Sequence, residues 1–220
     1  MAIYNGGILD EYKNKIGNVV GRRWRGLDVI SKYQPNVKNP RTKKQVEARK
    51  RFLTASKLAR DFRWIVGMGF GSVTAGTKCP PRGAFMRENL DAIEFTYPDT
   101  IDVDYTLLKV AKGNHLSGTF GSPTSTDPLT VKVAFSYDES RLGVDEKDKV
   151  VLVGYNPGDG NMCYSEFRAN QGNLEMTVPN SWNGEDVYLY GFVVGESALT
   201  VINSPDDVSN STYIGKVNIS

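Results

Sequence analysis

The sequence predicts an α+β protein, with an N-terminal β-hairpin arm and helical pair followed by an immunoglobulin/fibronectin III-like β-sandwich. Three observations predict it. Glycines punctuate the first segment, at Gly6, Gly7, Gly17, Gly21 and Gly26. From Asn39 onward, apolar residues recur at helical spacing. After Tyr97 the chain turns to short apolar runs separated by clusters of Pro, Gly, Asn and Asp. The expected division is residues 1–96 as a basic hairpin arm with helices, and 97–220 as an acidic sandwich.

In the first segment, "NVVGRRWRGLDVISKY" reads as two short strands about a turn near Arg25 and Gly26. Its apolar positions, Val19, Trp24, Val29 and Ile30, are too few for a core. An isolated hairpin is marginal in water, so this segment needs the next helix or a neighbouring molecule to cover it.

"NPRTKKQVEARKRF", residues 39–52, begins the helical region. Asn39 can cap and Pro40 suits the first helical position, while Thr42 with Gln45 offers a capping box one turn later. A helix is expected to about Val66, with Val46, Phe52, Ala55, Ala59, Phe62 and Val66 as its apolar stripe. "GMGFGSVTAGTKCPP" is expected to break it. A second helix follows over Arg82–Ile93, antiparallel to the first.

Seven strands are expected beyond Tyr97, over 105–113, 129–137, 149–156, 162–169, 173–178, 186–194 and 212–217. "SPTSTDP", "NPGDGN", "NSWNGED" and "NSPDD" are the turns between them. Val187, Leu189 and Gly191 alternate with Tyr188, Tyr190 and Phe192, so that strand is either covered on both faces or outwardly aromatic. No Cys…Trp…Cys spacing pins the sandwich.

Of the 220 residues, 40% are hydrophobic, enough for a real core. The net charge of +2 hides an asymmetry: residues 1–90 carry 19 Lys/Arg against 6 Asp/Glu, and residues 91–220 carry 8 against 19. Opposite halves of this kind suit either a polyanion or subunits that dock basic side to acidic side. Cys79 and Cys163 are far apart without CxxC spacing, and two free thiols are expected. The chain shows no basic-then-apolar leader pattern and no apolar run near the roughly 18 residues that span a bilayer. No membrane span and no signal-directed secretion are therefore expected.

The basic helix admits three readings: a solvated face, a protein interface, or phosphate neutralisation without base readout. "GNVVGRRWRG" and "GMGFGS" lack the context of a nucleotide-binding loop, and tight turns around a packed Trp24 are expected instead. His115 is the single histidine, expected in an exposed loop, and no nucleophile-elbow motif accompanies it. "DTIDVD" (99–104) and "DEKD" (145–148) match no calcium loop and read as solvated turns. Trp182, Tyr188, Tyr190 and Phe192 are expected in the sandwich core, with a carbohydrate- or protein-contact face as the alternative. No catalytic, cofactor-binding or metal-ligating residue is assigned. Arg22, Arg23, Trp24, Arg41, Lys44 and Arg51 are the expected interface residues, with Trp and Arg as anchors.

Gly17, Val19, Gly21, Trp24 and Gly26, then Asn39, Pro40, Thr42, Gln45, Arg49 and Phe52, form a paired motif, G-x-V-x-G-x-x-W-x-G and N-P-x-T-x-x-Q-x-x-x-R-x-x-F. It resembles the N-terminal signature of an uncharacterised protein family of Bacteroidota and their bacteriophages. "GYNPG", "FRANQGNLEMTVPNSWNGEDVYLYGF" and "STYIGKV" resemble that family's C-terminal half. The resemblance implies a non-enzymatic virion protein, such as a head–tail connector, tail ring or decoration component, assembled in the bacterial cytoplasm. Its implied partners are copies of itself in a ring or lattice and other virion proteins. Non-specific DNA contact through the basic helix is the rival expectation, and a glycan- or protein-binding surface module is a third.

Overall fold

The computed structural model describes residues 2–4, 13–24, 26–36, 39–137, 147–196 and 204–219. The chain forms two compact units, 1–45 and 46–220. The division expected after residue 96 therefore lies at 45/46, because the helices share their core with the sandwich.

The first unit is a four-stranded antiparallel sheet, in the order β1 (Ala2–Tyr4), β4 (Leu27–Lys32), β3 (Val19–Trp24), β2 (Asn14–Ile16). The expected hairpin is β3–β4, closed where Trp24 pairs with Leu27. Gly26 sits in that turn at φ +78°, a conformation that favours glycine. Lys15 Nζ lies 3.6 Å from the centre of the Tyr33 ring. Val29 is the one hydrophobic side chain fully buried among the unit's described residues.

The second unit opens with three helices, α1 (Lys43–Asp61, whose first residues belong to the first unit), α2 (Arg63–Thr74) and α3 (Pro81–Glu88). Thr42 caps α1: the Gln45 N–H donates to its hydroxyl at 3.4 Å, so the later of the two expected caps is used. The expected stop at Gly67 is absent, and α2 runs through Gly67, Gly69 and Gly71. The reason is close approach. A Cβ on Gly69 would fall 2.3 Å from the Val110 carbonyl oxygen, so only glycine lets this segment cross the helix. Lys112 N–H donates to Gly69 O at 2.9 Å, and the Ser72 hydroxyl donates to Lys112 O at 3.1 Å. Pro81 then occupies the first position of α3.

Residues 105–113 form no strand, contrary to expectation. Their backbone groups pair with other elements instead. Buried Asn89 donates to Lys109 O and accepts from Lys109 N–H, and Val110 N–H donates to the Ser211 hydroxyl. Before this segment lies a hairpin, β5 (Ile93–Thr96) and β6 (Thr100–Val103). It takes the place of the expected helix end at Ile93.

The sandwich follows. One sheet is β12 (Asn173–Thr177), β9 (Thr130–Ser136) and β7 (Thr119–Phe120), with β8 (Thr124–Asp127) also pairing with β9. The other is β11 (Asn161–Arg168), β10 (Lys149–Asn156), β13 (Asp186–Val194) and β14 (Thr212–Asn218). Taking β7 and β8 as one interrupted first strand, this is a seven-strand immunoglobulin/fibronectin III-like sandwich. The expected turn "SPTSTDP" contains β8, and six of the seven expected strands stand.

The β10–β13 sheet is buried on both faces. Val150, Leu152, Val187, Leu189 and Val193 meet Val131, Val133, Leu174, Met176 and Trp182 inside the sandwich. Val151, Val153, Tyr155, Tyr190 and Phe192 meet Ala55, Leu58, Phe62, Ile65 and Phe85 of the helices. This double burial explains why both strands read as nearly continuous apolar runs. It also resolves the pattern of β13 in favour of a strand covered on both faces. Phe120 lies over Gly191, where a Cβ would come within 2.4 Å of its ring.

Candidate interaction surfaces

On the first unit, Arg22, Arg23, Trp24 and Val29 line a recess of about 360 Å³. β3 presents them: it lies inside the sheet, yet its last three residues remain exposed. Trp24 is 52% exposed, so the packed Trp24 expected from the glycine-rich stretch is not what the fold builds. Arg23 Nε is 3.9 Å from Asp28 Oδ1. Arg41 and Lys44 are exposed at the start of α1, outside that recess. Arg51 behaves differently from the other expected interface residues. It is partly buried, donates to Leu90 O at 2.6 Å and pairs with Glu47 at 3.7 Å. It pins α1 to the turn before β5.

The basic helix is not uniformly solvated. Lys50 reaches Asp99 at 2.7 Å, and so ties α1 to the β5–β6 turn. Opposite charges thus meet inside the second unit, as they do again where Lys112 pairs with Glu88 and Lys149 with Glu166. The outward face of α1 and α2 carries Arg49, Phe52, Leu53, Lys57, Arg60, Arg63 and Trp64, all exposed. Phe52 was expected in the core stripe. It is in phase with that stripe but lies a turn before Ala55, the first residue there to be fully buried. Leu53 and Trp64 were not singled out from the sequence. Their signal was the complementary phase: Leu53, Lys57, Arg60 and Trp64 recur at steps of four, three and four. The Arg63 guanidinium lies 4.9 Å from the Trp64 ring centre.

Two of the "DTIDVD" acids, Asp102 and Asp104, line an open cleft of about 380 Å³ together with Glu94, Tyr105 and Tyr188. Glu94 and Asp102 are direct cross-strand partners in the β5–β6 hairpin. Hydrogen bonds from Thr106, the side chain first and then the backbone, hold the Asp104 carboxyl below its ordinary pKa. Burial foremost, then Tyr188 and Asp102, raises the Tyr105 phenol. The surroundings thus favour the charged form of Asp104 and the neutral form of Tyr105.

His115 is not in an exposed loop. Its side chain is 11% exposed and its Nε2 is 3.5 Å from Asp148 Oδ2. Asp148 is itself buried and accepts from Tyr137 OH and Glu196 N–H, each at 2.9 Å. His115 Nδ1 is 3.0 Å from Leu116 O. This group clasps the segment before β7 to the start of β10 and the end of β13. "DEKD" falls partly outside the described residues. Cys79 and Cys163 are free thiols, and burial pushes the Cys163 thiol pKa up to about 12, which disfavours its thiolate. No helix among the described residues is long and apolar enough to cross a membrane.

Trp182, Tyr190 and Phe192 are fully buried, and Tyr188 is partly buried against the helical core. The Trp182 indole donates to Asp159 at 2.9 Å, and Tyr190 OH donates to Tyr105 O at 2.7 Å. Trp182, Tyr190 and Phe192 thus lie in the core, and of the four only Tyr188 reaches a surface cleft.

A helix-backed fibronectin III-like sandwich preceded in the chain by a small basic sheet is the class that the fold and these surfaces define. The chain belongs to a family of unknown function (DUF6266), whose profile matches residues 11–215. No curated protein matches it. Among solved structures, the solution structure of the fn3 domain of human collagen alpha-1(XX) chain is similar at 9% identity and a TM-score of 0.33, over 50% of this chain and 85% of that one. The fold assignment rests on the strand order above.

Proposed function

We propose that this protein is a non-enzymatic structural subunit that assembles with copies of itself through its N-terminal sheet. The observation that carries the reading is the apolar surface that sheet leaves open: Ile16 and Trp24 are 65% and 52% exposed, and among the unit's described residues Val29 is the one hydrophobic side chain fully buried. A small sheet with such exposed apolar side chains gains stability by laying them on a neighbour. Trp and Arg are the residue types that anchor such contacts. The motif resemblance of residues 17–26 and 39–52 supplies the setting, a bacteriophage particle in which the protein serves as a connector, ring or decoration component.

Sedimentation velocity across a concentration series tests the assembly, and mass spectrometry of purified particles tests the setting. The full chain is expected to form larger species as concentration rises. Trp24→Ala is expected to weaken association by tenfold or more, on the order of 2 kcal/mol for an anchor residue. At a dilution where parent and variant are both monomeric, its melting temperature should barely move. A chain that stays monomeric throughout contradicts the reading.

One observation favours a second reading. The exposed Lys57, Arg60, Arg63 and Trp64 combine cations with a stacking platform, as single-stranded nucleic acid requires. Salt separates the two. Nucleic-acid affinity falls steeply as salt rises, whereas assembly anchored by Trp24 persists in the absence of any nucleic acid.

A further inference from the structure

We propose that the exposed α1–α2 face binds the acidic β5–β6 cleft of a second copy of this chain. The inference rests on the assembly reading and names a second contact for it, separate from the Trp24 sheet.

The helix face has the composition of a contact surface. Phe52, Leu53 and Trp64 are 62%, 68% and 66% exposed, three large apolar side chains on two consecutive helices. A helix normally turns such residues to the core. Here the core side is already filled by Ala55, Leu58, Ala59, Phe62 and Ile65. Between and beside the apolar groups stand Lys57, Arg60 and Arg63. Two acids adjoin the Arg60 end: Asp61, mostly buried and paired with Arg60 at 3.6 Å, and exposed Asp159, which shares a recess with Arg60, Arg63 and Trp64. Cations thus outnumber acids there without excluding them. Lys57 and Arg63 join no ion pair among the described residues. The face is therefore cationic and apolar together, which suits an anionic partner that also offers aromatic surface.

The β5–β6 cleft offers that chemistry. Glu94 and Asp102 stand directly opposite each other across the hairpin, and like charges so placed destabilise it. Neither joins an ion pair among the described residues. Asp104 adds a third carboxylate, and Tyr105 and Tyr188 supply the aromatic floor, their rings 4.7 Å apart. Cations from a neighbour would relieve the Glu94–Asp102 repulsion. The two surfaces differ, so the contact is heterologous, and it closes into a ring or extends as a filament.

A charge-swap experiment on the full chain tests this. One variant carries Lys57→Glu with Arg63→Glu, and the other carries Glu94→Lys with Asp102→Lys. All four positions are exposed, and circular dichroism with thermal melting verifies that both variants fold. Each variant alone is expected to associate at least tenfold more weakly than the parent. An equimolar mixture should recover association, because each helix face then finds a cleft of opposite sign. If the parent assembles and the variants assemble equally well, or the mixture does not recover, this contact is wrong while the Trp24-based reading stands. If the parent itself is monomeric and the helix variant instead loses affinity for a short single-stranded DNA, both fall.

Discussion

Phe62→Ala is expected to destabilise the second unit by about 3–5 kcal/mol, the usual cost of emptying a buried aromatic site. Phe62 sits at the junction of α1 and α2, fully buried, and is among the largest side chains in the helical core. Its ring centre is 4.6 Å from Tyr155, 5.9 Å from Phe85 and 6.4 Å from Tyr190. It thus touches one strand residue of β10, one of β13 and one residue of α3. Removing it loosens the helices from the sheet that they cover. Because that sheet is also the inner wall of the sandwich, helices and strands should unfold in one step. Denaturant titration followed by far-ultraviolet circular dichroism and by Trp182 fluorescence, with Trp24 and Trp64 replaced by Phe, is expected to show coincident, shifted midpoints. A helical signal lost well before the fluorescence signal would restore a boundary near residue 96.

Trp182→Ala is expected to cost a similar amount, about 3–5 kcal/mol. Trp182 lies in a short 3₁₀ turn, Asn180–Trp182, and its side chain closes one end of the sandwich core. Gly154 makes room for it, since a Cβ there would stand 3.4 Å from the indole and 3.0 Å from Met176. The indole N–H also satisfies Asp159. Trp182→Phe keeps most of the volume and removes one donor from Asp159, which is exposed and still accepts from Asn161 N–H, so it should cost only about 0.5–1.5 kcal/mol. Thermal or chemical unfolding checks both variants. Little loss for Trp182→Ala would mean that the side chain is not where the core needs it.

The strands were legible because alternation and double burial leave plain marks in sequence. Val131, Val133 and Phe135 mark an inward face, and the apolar runs of β10 and β13 mark strands covered twice. The segment from Tyr105 to Gly113 looked like a strand for the same reason, being apolar and bounded by turns. Its backbone pairs with Asn89, Gly69 and Ser211, distant in sequence, and no local pattern announces such partners. The glycines of α2 misled in the opposite direction. Local propensity reads them as breakers, whereas Gly69 is demanded by a crossing chain.

The surfaces were half legible. Arg22, Arg23 and Trp24 were singled out from composition, and the structure gathers them on one recess. The Arg51 pairing with Glu47, one turn back on α1, was legible as helical spacing, but its bond to Leu90 O was not, because that carbonyl becomes a neighbour only when α1 packs on the turn before β5. Leu53 and Trp64 were hidden by the charges around them, and Phe52 by its agreement with the buried stripe. His115 could not be placed, because Asp148 is remote in sequence and nothing local signals the clasp.

The central claim is that the N-terminal sheet is completed by another copy of the protein. Amide hydrogen exchange measured across protein concentration tests it most directly. At high dilution the amides of Asn14–Lys32 should exchange quickly, as expected for a sheet with so little burial. They should slow markedly as copies associate, while those of β10 stay protected throughout. Exchange of Asn14–Lys32 that is already slow at high dilution, or that does not change with concentration, would contradict the claim.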